Sequence, residues 1–268
     1  VSEFGMGDLR FIEDETRVLL EQERGAPVKR EVVSRVYEQT EGWPAGIRLV
    51  CLALNGRRDP SAIEAYLTCS PGQRREVSDY LLGEVLDAQP EPVQTFLLKT
   101  SILNSLTPSL CDAVTGRVDS DAMLARLERA NLFLLPLGEH DGQTWRRYHA
   151  LFAGALRVAG RARLGEAAVR GLYEAASAWY AAHGLTDQAI EAALAAQQYE
   201  GAAKLIEQTL DWRSRREVRT VRRRIEQLPS AVRAGHPELS FEYAVARLFT
   251  SDRYAPSTAV ESEEPLMM

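Results

Sequence analysis

At 268 residues the chain has room for one large domain or two or three small ones, and 45% hydrophobic composition is enough to bury a core. A formal net charge of -6 counts against a protein whose main partner is a nucleic-acid backbone. Cys51, Cys69 and Cys111 stand without C-x-x-C spacing or companion histidines, which argues against a zinc site. With no signal peptide and no apolar run near the ~20 residues of a membrane span, this suits a soluble, cytoplasmic protein without membrane contact.

In chain order, FIEDETRVLL (Phe11 to Leu20) and VKREVVSRVYEQTEG (Val28 to Gly42) place apolar residues at helical spacing, with Val32, Val33, Val36 and Tyr37 on one face of the second. GWPAGIRLVCLAL then opens a helix with Pro44 in its first turn, where a missing N–H costs nothing. GRRDPS, residues 56 to 61, is the first linker. Five short helices are expected next: SAIEAYL, QRREVSDYLLGEVLDA, PEPVQTFLLKTS, TPSLCDAV and DSDAMLARLERA. NLFLLPLGEHDGQTWRRYH predicts a hairpin, with strands near Leu132 to Leu137 and Thr144 to Tyr148 around the turn GEHDGQ. Helices, a hairpin and another helix are the order of a winged helix, expected over about 70–160.

From Ala167 onward the pattern is again helical. LTDQAIEAAL and QYEGAAKLIE share a turn residue at the start and small residues where two helices approach. Trp179 and Trp212 recur about 33 positions apart, near the ~34-residue tetratricopeptide period. The expected fold class is mainly α: a helical subdomain over 8–58, a winged-helix domain with one β-hairpin over 59–160, TPR-like helical hairpins over 161–250, and a frayed acidic tail over 251–268.

GWPAGIRL, DYLLGEVLDAQPEPVQTFLLKTSIL, LCDAVTG, LERANLFLLPL and RRYHALF, in that order, resemble the middle of MalT-like, LuxR-family transcriptional regulators, signal-transducing ATPases of the STAND class related to NB-ARC proteins. The resemblance covers roughly Asp8 to Leu248. It implies a series of modules: a P-loop nucleotide-binding domain, a helical lid, a winged helix, a helical-repeat sensor arm and a C-terminal helix-turn-helix. This sequence corresponds to the lid, the winged helix and the start of the arm. No G-x-x-x-x-G-K-[ST] motif occurs in it, so no catalysis is expected of this chain. The chain is expected to be a fragment, with VSEFGMG foreign to it. ADP or ATP with magnesium is the cofactor of the parent rather than of this segment. Its partners are the parent's upstream P-loop domain and downstream helix-turn-helix, with possible self-association through the arm and no direct DNA binding.

In NB-ARC relatives the histidine of an M-H-D motif, at the hairpin-to-helix junction, contacts the β-phosphate of ADP. RYHALF places His149 similarly, and an imidazole N–H at a helix N-terminus suits an anion. The departure is Ala150, where the motif has its aspartate. The alternative is a buried histidine that caps the following helix beside Trp145 and Tyr148. Likewise Gly42, Trp43 and Pro44 match a Gly-x-Pro element whose proline packs on adenine and ribose, a preformed apolar wall. The alternative is an N1 proline opening a core helix, with Trp43 as a buried anchor.

WRSRREVRTVRRRIEQL holds seven arginines from Arg213 to Arg224, read as a solvated helix face opposite Val218, Val221, Ile225 and Leu228. Asp79, Glu84 and Asp87 are read as surface partners of Arg74 and Arg75. His140 in the hairpin turn, His183 beside Gly184 and His236 before Pro237 are read as structural or solvated. Two functions remain open at this point: a regulatory module of a nucleotide-gated transcription regulator, or a helical-repeat interaction scaffold without a nucleotide role. DNA binding by SDAMLARLERAN is disfavoured, since only Arg126 and Arg129 are basic there.

Overall fold

The computed structural model describes residues 10–25, 27–55, 75–130, 132–140, 142–209 and 218–250. The linker GRRDPS, the segment SAIEAYL, Cys69, Arg74, Trp212, Arg213, Arg215 and Arg216, the leading VSEFGMG and the tail 251–268 lie outside the described residues. The chain forms two compact units, divided in sequence after Trp179.

The first unit opens with three helices, α1 (Glu13–Arg24), α2 (Arg30–Thr40) and α3 (Pro44–Asn55). Glu13, Asp14 and Glu15 in the first turn of α1 complement its dipole, and Gly25 ends it in the left-handed conformation at φ 65°. Leu20, Val33, Val36, Ile47, Val50 and Cys51 are buried between them. Of the four residues expected on one face of α2, Val33 and Val36 are buried and Val32 and Tyr37 half-buried.

Helix α4 (Arg75–Tyr80) runs into a π-helical stretch, Leu81–Leu86, closed by the Asp87 N–H donating to the Leu82 carbonyl at 2.8 Å. There follow α5 (Glu91–Thr100), α6 (Pro108–Thr115), α7 (Ser120–Arg129), strands β1 (Leu134–His140) and β2 (Gln143–Tyr148), and α8 (Ala150–Leu164). Thr107 caps α6 by accepting the Leu110 N–H, with Pro108 at N1. Leu106 exchanges two backbone hydrogen bonds with Arg146, at 2.7 and 3.0 Å, and so lies beside the hairpin as a third strand-like piece. Phe96, Leu97, Leu106, Leu110, Leu124 and Phe152 fill the interior.

The hairpin differs from expectation at one strand. β1 starts two residues later than Leu132 and runs on through His140, which therefore belongs to a strand and not to the turn. The register slips between Pro136 and Gly138, where Gly138 takes φ 106°, so the chain absorbs an extra residue as a bulge and continues pairing to His140 and Gln143, with Gly142 in the turn at φ 69°.

Helix α9 (Glu166–Ala182) spans the division. The second unit continues with α10 (Thr186–Ala195), α11 (Tyr199–Thr209), α12 (Val218–Glu226), α13 (Ser230–Gly235) and α14 (Pro237–Thr250). α10 and α11 are the two similar sequence pieces, joined by a tight turn with Gln197 at φ 61°. Their buried Ala189, Ala193, Ala202 and Ala203 let the backbones approach, and Ile190, Ile206, Ile225, Leu228 and Leu239 complete this core.

The charge readings need two corrections. Arg224 is 6% exposed and bonds Asp187 at 2.7 Å and Glu191 at 3.2 Å, both on α10, so it is not part of a solvated face. The 3.6-residue period carries it round to the apolar side beside Ile225. Asp87 pairs across space with Arg163 at 2.8 Å rather than along its own helix. Of the two readings of His236, structural or solvated, the structure favours the first: its ring nitrogens meet Glu207 at 2.8 Å and Glu200 at 2.9 Å, both on α11.

Candidate functional site

Four residues singled out from the sequence, Gly42, Trp43, Pro44 and His149, come together where the α2–α3 turn meets the junction of β2 and α8. α2 ends in two successive left-handed residues, Glu41 at φ 50° and Gly42 at φ 71°. Gly42 is required twice over. Its φ disfavours a side chain, and a Cβ there would stand 2.2 Å from the Phe11 carbonyl oxygen, which belongs to the segment whose N–H donates to Gly42 O at 2.8 Å. Trp43 then precedes Pro44, the first residue of α3, and its carbonyl accepts the Ile47 N–H. Pro44 is half-buried.

The Trp43 ring stands edge-on to Phe133, with centroids 4.8 Å apart, and to His149 at 5.9 Å. Gly46 makes this possible: a Cβ there would lie 2.5 Å from the Trp43 ring and 3.0 Å from Leu151 of α8. Phe133 holds φ 53°, unusual for an aromatic residue, and its carbonyl accepts the His149 N–H at 2.8 Å.

His149 is the N-cap of α8 and is 1% exposed. Its Nδ1 accepts the Leu151 N–H at 3.3 Å. Nε2 lies 2.8 Å from the Thr40 carbonyl oxygen and must carry the proton, since a carbonyl only accepts. The same Thr40 oxygen takes the Trp43 N–H at 2.8 Å, so both its lone pairs are used. Burial lowers the His149 pKa, while the nearby Glu41 carboxylate works against that. The ring is neutral at physiological pH and ties the three-helix subdomain to the winged helix.

Glu41 is the residue sequence reading missed. Its two oxygens take a bidentate bond from Arg147, each at 2.7 Å, and Oε1 also accepts the Ala150 N–H at 3.1 Å. Arg10 stands 3.8 Å away. Burial alone would raise this carboxyl, but Arg147, the His149 field and the Ala150 N–H together hold it below the ordinary value. Glu41 thus sets a carboxylate from the α2–α3 turn at the N-terminal end of α8, beside Ala150. Glu41 and Arg147 lie 106 positions apart, and neither carries a local signal of the pairing.

Does a nucleotide fit these residues? Nε2 of His149 is a donor, as a phosphate requires, yet it is buried and engaged with Thr40. Among the described residues no group of three His, Cys, Asp or Glu side chains gathers to hold a metal, and no helix is long and apolar enough to cross a membrane. Cys51 and Cys111 are buried, and burial pushes the Cys111 thiol up to about 12, which leaves it unreactive.

A helical pair, a two-stranded wing and a trailing helix, with a three-helix subdomain locked onto the wing-to-helix junction, define a winged-helix protein. Residues 82–168 match the MalT winged helix domain, so the chain carries a MalT-like winged helix. It is 31% identical over 209 residues to the HTH-type transcriptional regulator MalT of Klebsiella pneumoniae (strain 342), covering 78% of this chain and 22% of that protein. MalT of Yersinia pestis (strain Pestoides F) is 32% identical over 195 residues, 72% of this chain and 21% of that one. The serine/threonine-protein kinase PknK of Mycobacterium tuberculosis (strain ATCC 25618 / H37Rv) is 30% identical over 259 residues, 96% of this chain and 23% of the kinase. The chain therefore spans less than a quarter of the length of these relatives.

Proposed function

We propose that this chain is the regulatory segment of a nucleotide-gated, MalT-type transcriptional regulator, in which the three-helix lid and the winged helix close over ADP or ATP held by a P-loop domain of the parent. The observation that supports it is the lock between Thr40–Pro44 and Arg147–Ala150. A lid that must open and close needs polar, geometrically specific contacts with the domain it docks on, and this junction has them. Similarity to both a transcriptional regulator and a kinase over most of the chain fits a module that reports a signal to different outputs, and not a module that performs either chemistry.

In this reading His149 exchanges acceptors. Its Nε2–H faces the neutral Thr40 carbonyl here, and a phosphate oxygen at the same nitrogen makes a charge-assisted, stronger bond. Pro44 walls the base and Gly42 and Trp43 fix its approach. The parent supplies magnesium and most phosphate affinity from its P-loop amides and lysine.

The test uses the full-length parent carrying His149→Ala or Glu41→Gln. His149→Ala is expected to weaken ADP binding, and both variants to give transcriptional activity with less inducer, since the closed state loses a contact made only on docking. A scaffold without a nucleotide role predicts unchanged ADP affinity and inducer dependence, with the variants merely less stable. The complete engagement of His149 inside the protein is what keeps that second reading in play.

A further inference from the structure

The first unit holds a cavity of about 470 Å3 between the α5–α6 connection, the end of β2, α8 and the first half of α9. That volume lies within the range of small-molecule sites. Three of its lining residues are arginines, Arg147, Arg157 and Arg161, and none is an aspartate or glutamate. Arg147 has its carboxylate, Glu41, outside the lining. Arg157 is held by the neutral Ser101 carbonyl at 3.0 Å and Asn104 Oδ1 at 2.9 Å, which fix its guanidinium without neutralising it. Arg161 is exposed and has no ion pair among the described residues. Ile102, Val169 and Tyr173 give the cavity an apolar wall.

Arg157 and Arg161 bring two positive charges without a carboxylate partner to one cavity, beside an Arg147 whose charge Glu41 balances; such a pair favours an anion, and an apolar wall adds affinity for a hydrocarbon body. We infer that this cavity binds a small organic anion, a carboxylate or phosphate head on an apolar or aromatic body. The site is distinct from the lid junction and stands independently of the nucleotide reading. The two are nevertheless linked through Arg147, which lines the cavity and at the same time grips Glu41. A ligand head that recruits Arg147 competes with the lid turn for it, so occupancy and lid docking are negatively coupled.

The experiment titrates the isotopically labelled chain with phenyl phosphate and follows backbone amide shifts, with inorganic phosphate and phenol as head-only and body-only arms. Saturable shifts are expected at residues 101–104, 153–161 and 169–173, with phenyl phosphate at least about tenfold tighter than either part, or roughly 1.4 kcal/mol. Arg161→Glu should weaken it by a similar factor at unchanged melting temperature, and Arg161→Gln by less. Glu41→Gln, which releases Arg147, should tighten it several-fold. Absence of saturable shifts up to about 10 mM, below the weak end of specific binding, overturns the proposal. So does binding indifferent to Arg161→Glu. Equal affinity for inorganic and phenyl phosphate overturns the ligand class, and weaker binding by Glu41→Gln overturns the coupling.

Discussion

At the scale of single residues, the junction depends as much on side chains that are missing as on those present. Gly25, Gly42 and Gly46 separate two reasons for glycine. Gly25 and Gly42 both hold positive φ, 65° and 71°, which costs an alanine about 1–2 kcal/mol. A Cβ at Gly25 meets nothing within 4 Å, whereas at Gly42 it collides with backbone that cannot move without breaking the Phe11 to Gly42 hydrogen bond. Gly46 has helical φ but sits under the Trp43 ring. Gly25→Ala is therefore expected to cost about 1 kcal/mol, Gly46→Ala about 1–3 as overpacking, and Gly42→Ala more than Gly25→Ala by at least ~1. Urea unfolding of the first unit followed by tryptophan fluorescence checks the order. If Gly42→Ala and Gly25→Ala unfold alike, the close approach of Phe11 carries no energy.

These residues also mark how far the sequence could be read. Gly42, Trp43, Pro44 and His149 were visible because each type has a local meaning: a turn, a rigid ring, a helix cap. Glu41 was not, because a carboxylate after a helix reads as solvated until Arg147 is brought beside it by the docking of two subdomains. Thr40 was invisible for a different reason, since it acts through its backbone carbonyl. Gly46 carries no local signal of its role, and only the Trp43 ring packed against it explains it.

At the scale of elements, helix existence followed from 3.6-residue spacing and caps, and the hairpin from alternating runs around Gly142. What the pattern did not reveal was the bulge that carries β1 on to His140, and the π-helical turn before Asp87, since both depend on one extra residue in an otherwise regular run. α12 shows the same limit for charge. A run of arginines looks uniform, yet Arg223 projects outward with a side chain 66% exposed, while Arg224 is packed inward and bridges two carboxylates. Those partners remain 66% and 46% exposed, so removing Arg224 does not strand a buried charge. Its loss is expected to cost about 1–2 kcal/mol through lost ion pairs and lost packing of its stem, more than the 0–1 typical of exposed pairs. Arg224→Ala should thus unfold the second unit earlier, Arg224→Met should recover the packing part, and Arg223→Ala should be nearly neutral. Equal effects of Arg223→Ala and Arg224→Ala in thermal unfolding would return α12 to a uniformly solvated face.

At the scale of the whole molecule, the two units carry ionisable clusters whose responses to pH have opposite sign. In the first unit His149 is neutral, with its pKa below the free value because it is buried, and Glu41 is held ionised below its own ordinary value. Protons are then taken up by the unfolded chain first: His149 in the unfolded state protonates near pH 6.5, while the folded ring resists. Stability is full above that value and declines as pH falls through it, and Glu41 adds a further loss in the acid range once its folded carboxyl protonates. In the second unit His236 has a carboxylate at each ring nitrogen, and those two hydrogen bonds raise its pKa, Glu200 foremost. Both bonds donate from the ring only when it is an imidazolium. Its contribution is fully present below the unfolded value near 6.5 and disappears as pH rises through the higher folded pKa. Acidification from about pH 8 to 6 should therefore loosen amides around Leu151 and tighten those around Ile206 in hydrogen exchange. His236→Gln should remove the second slope and leave the first, and a common direction in both units would refute the assignment of the two clusters.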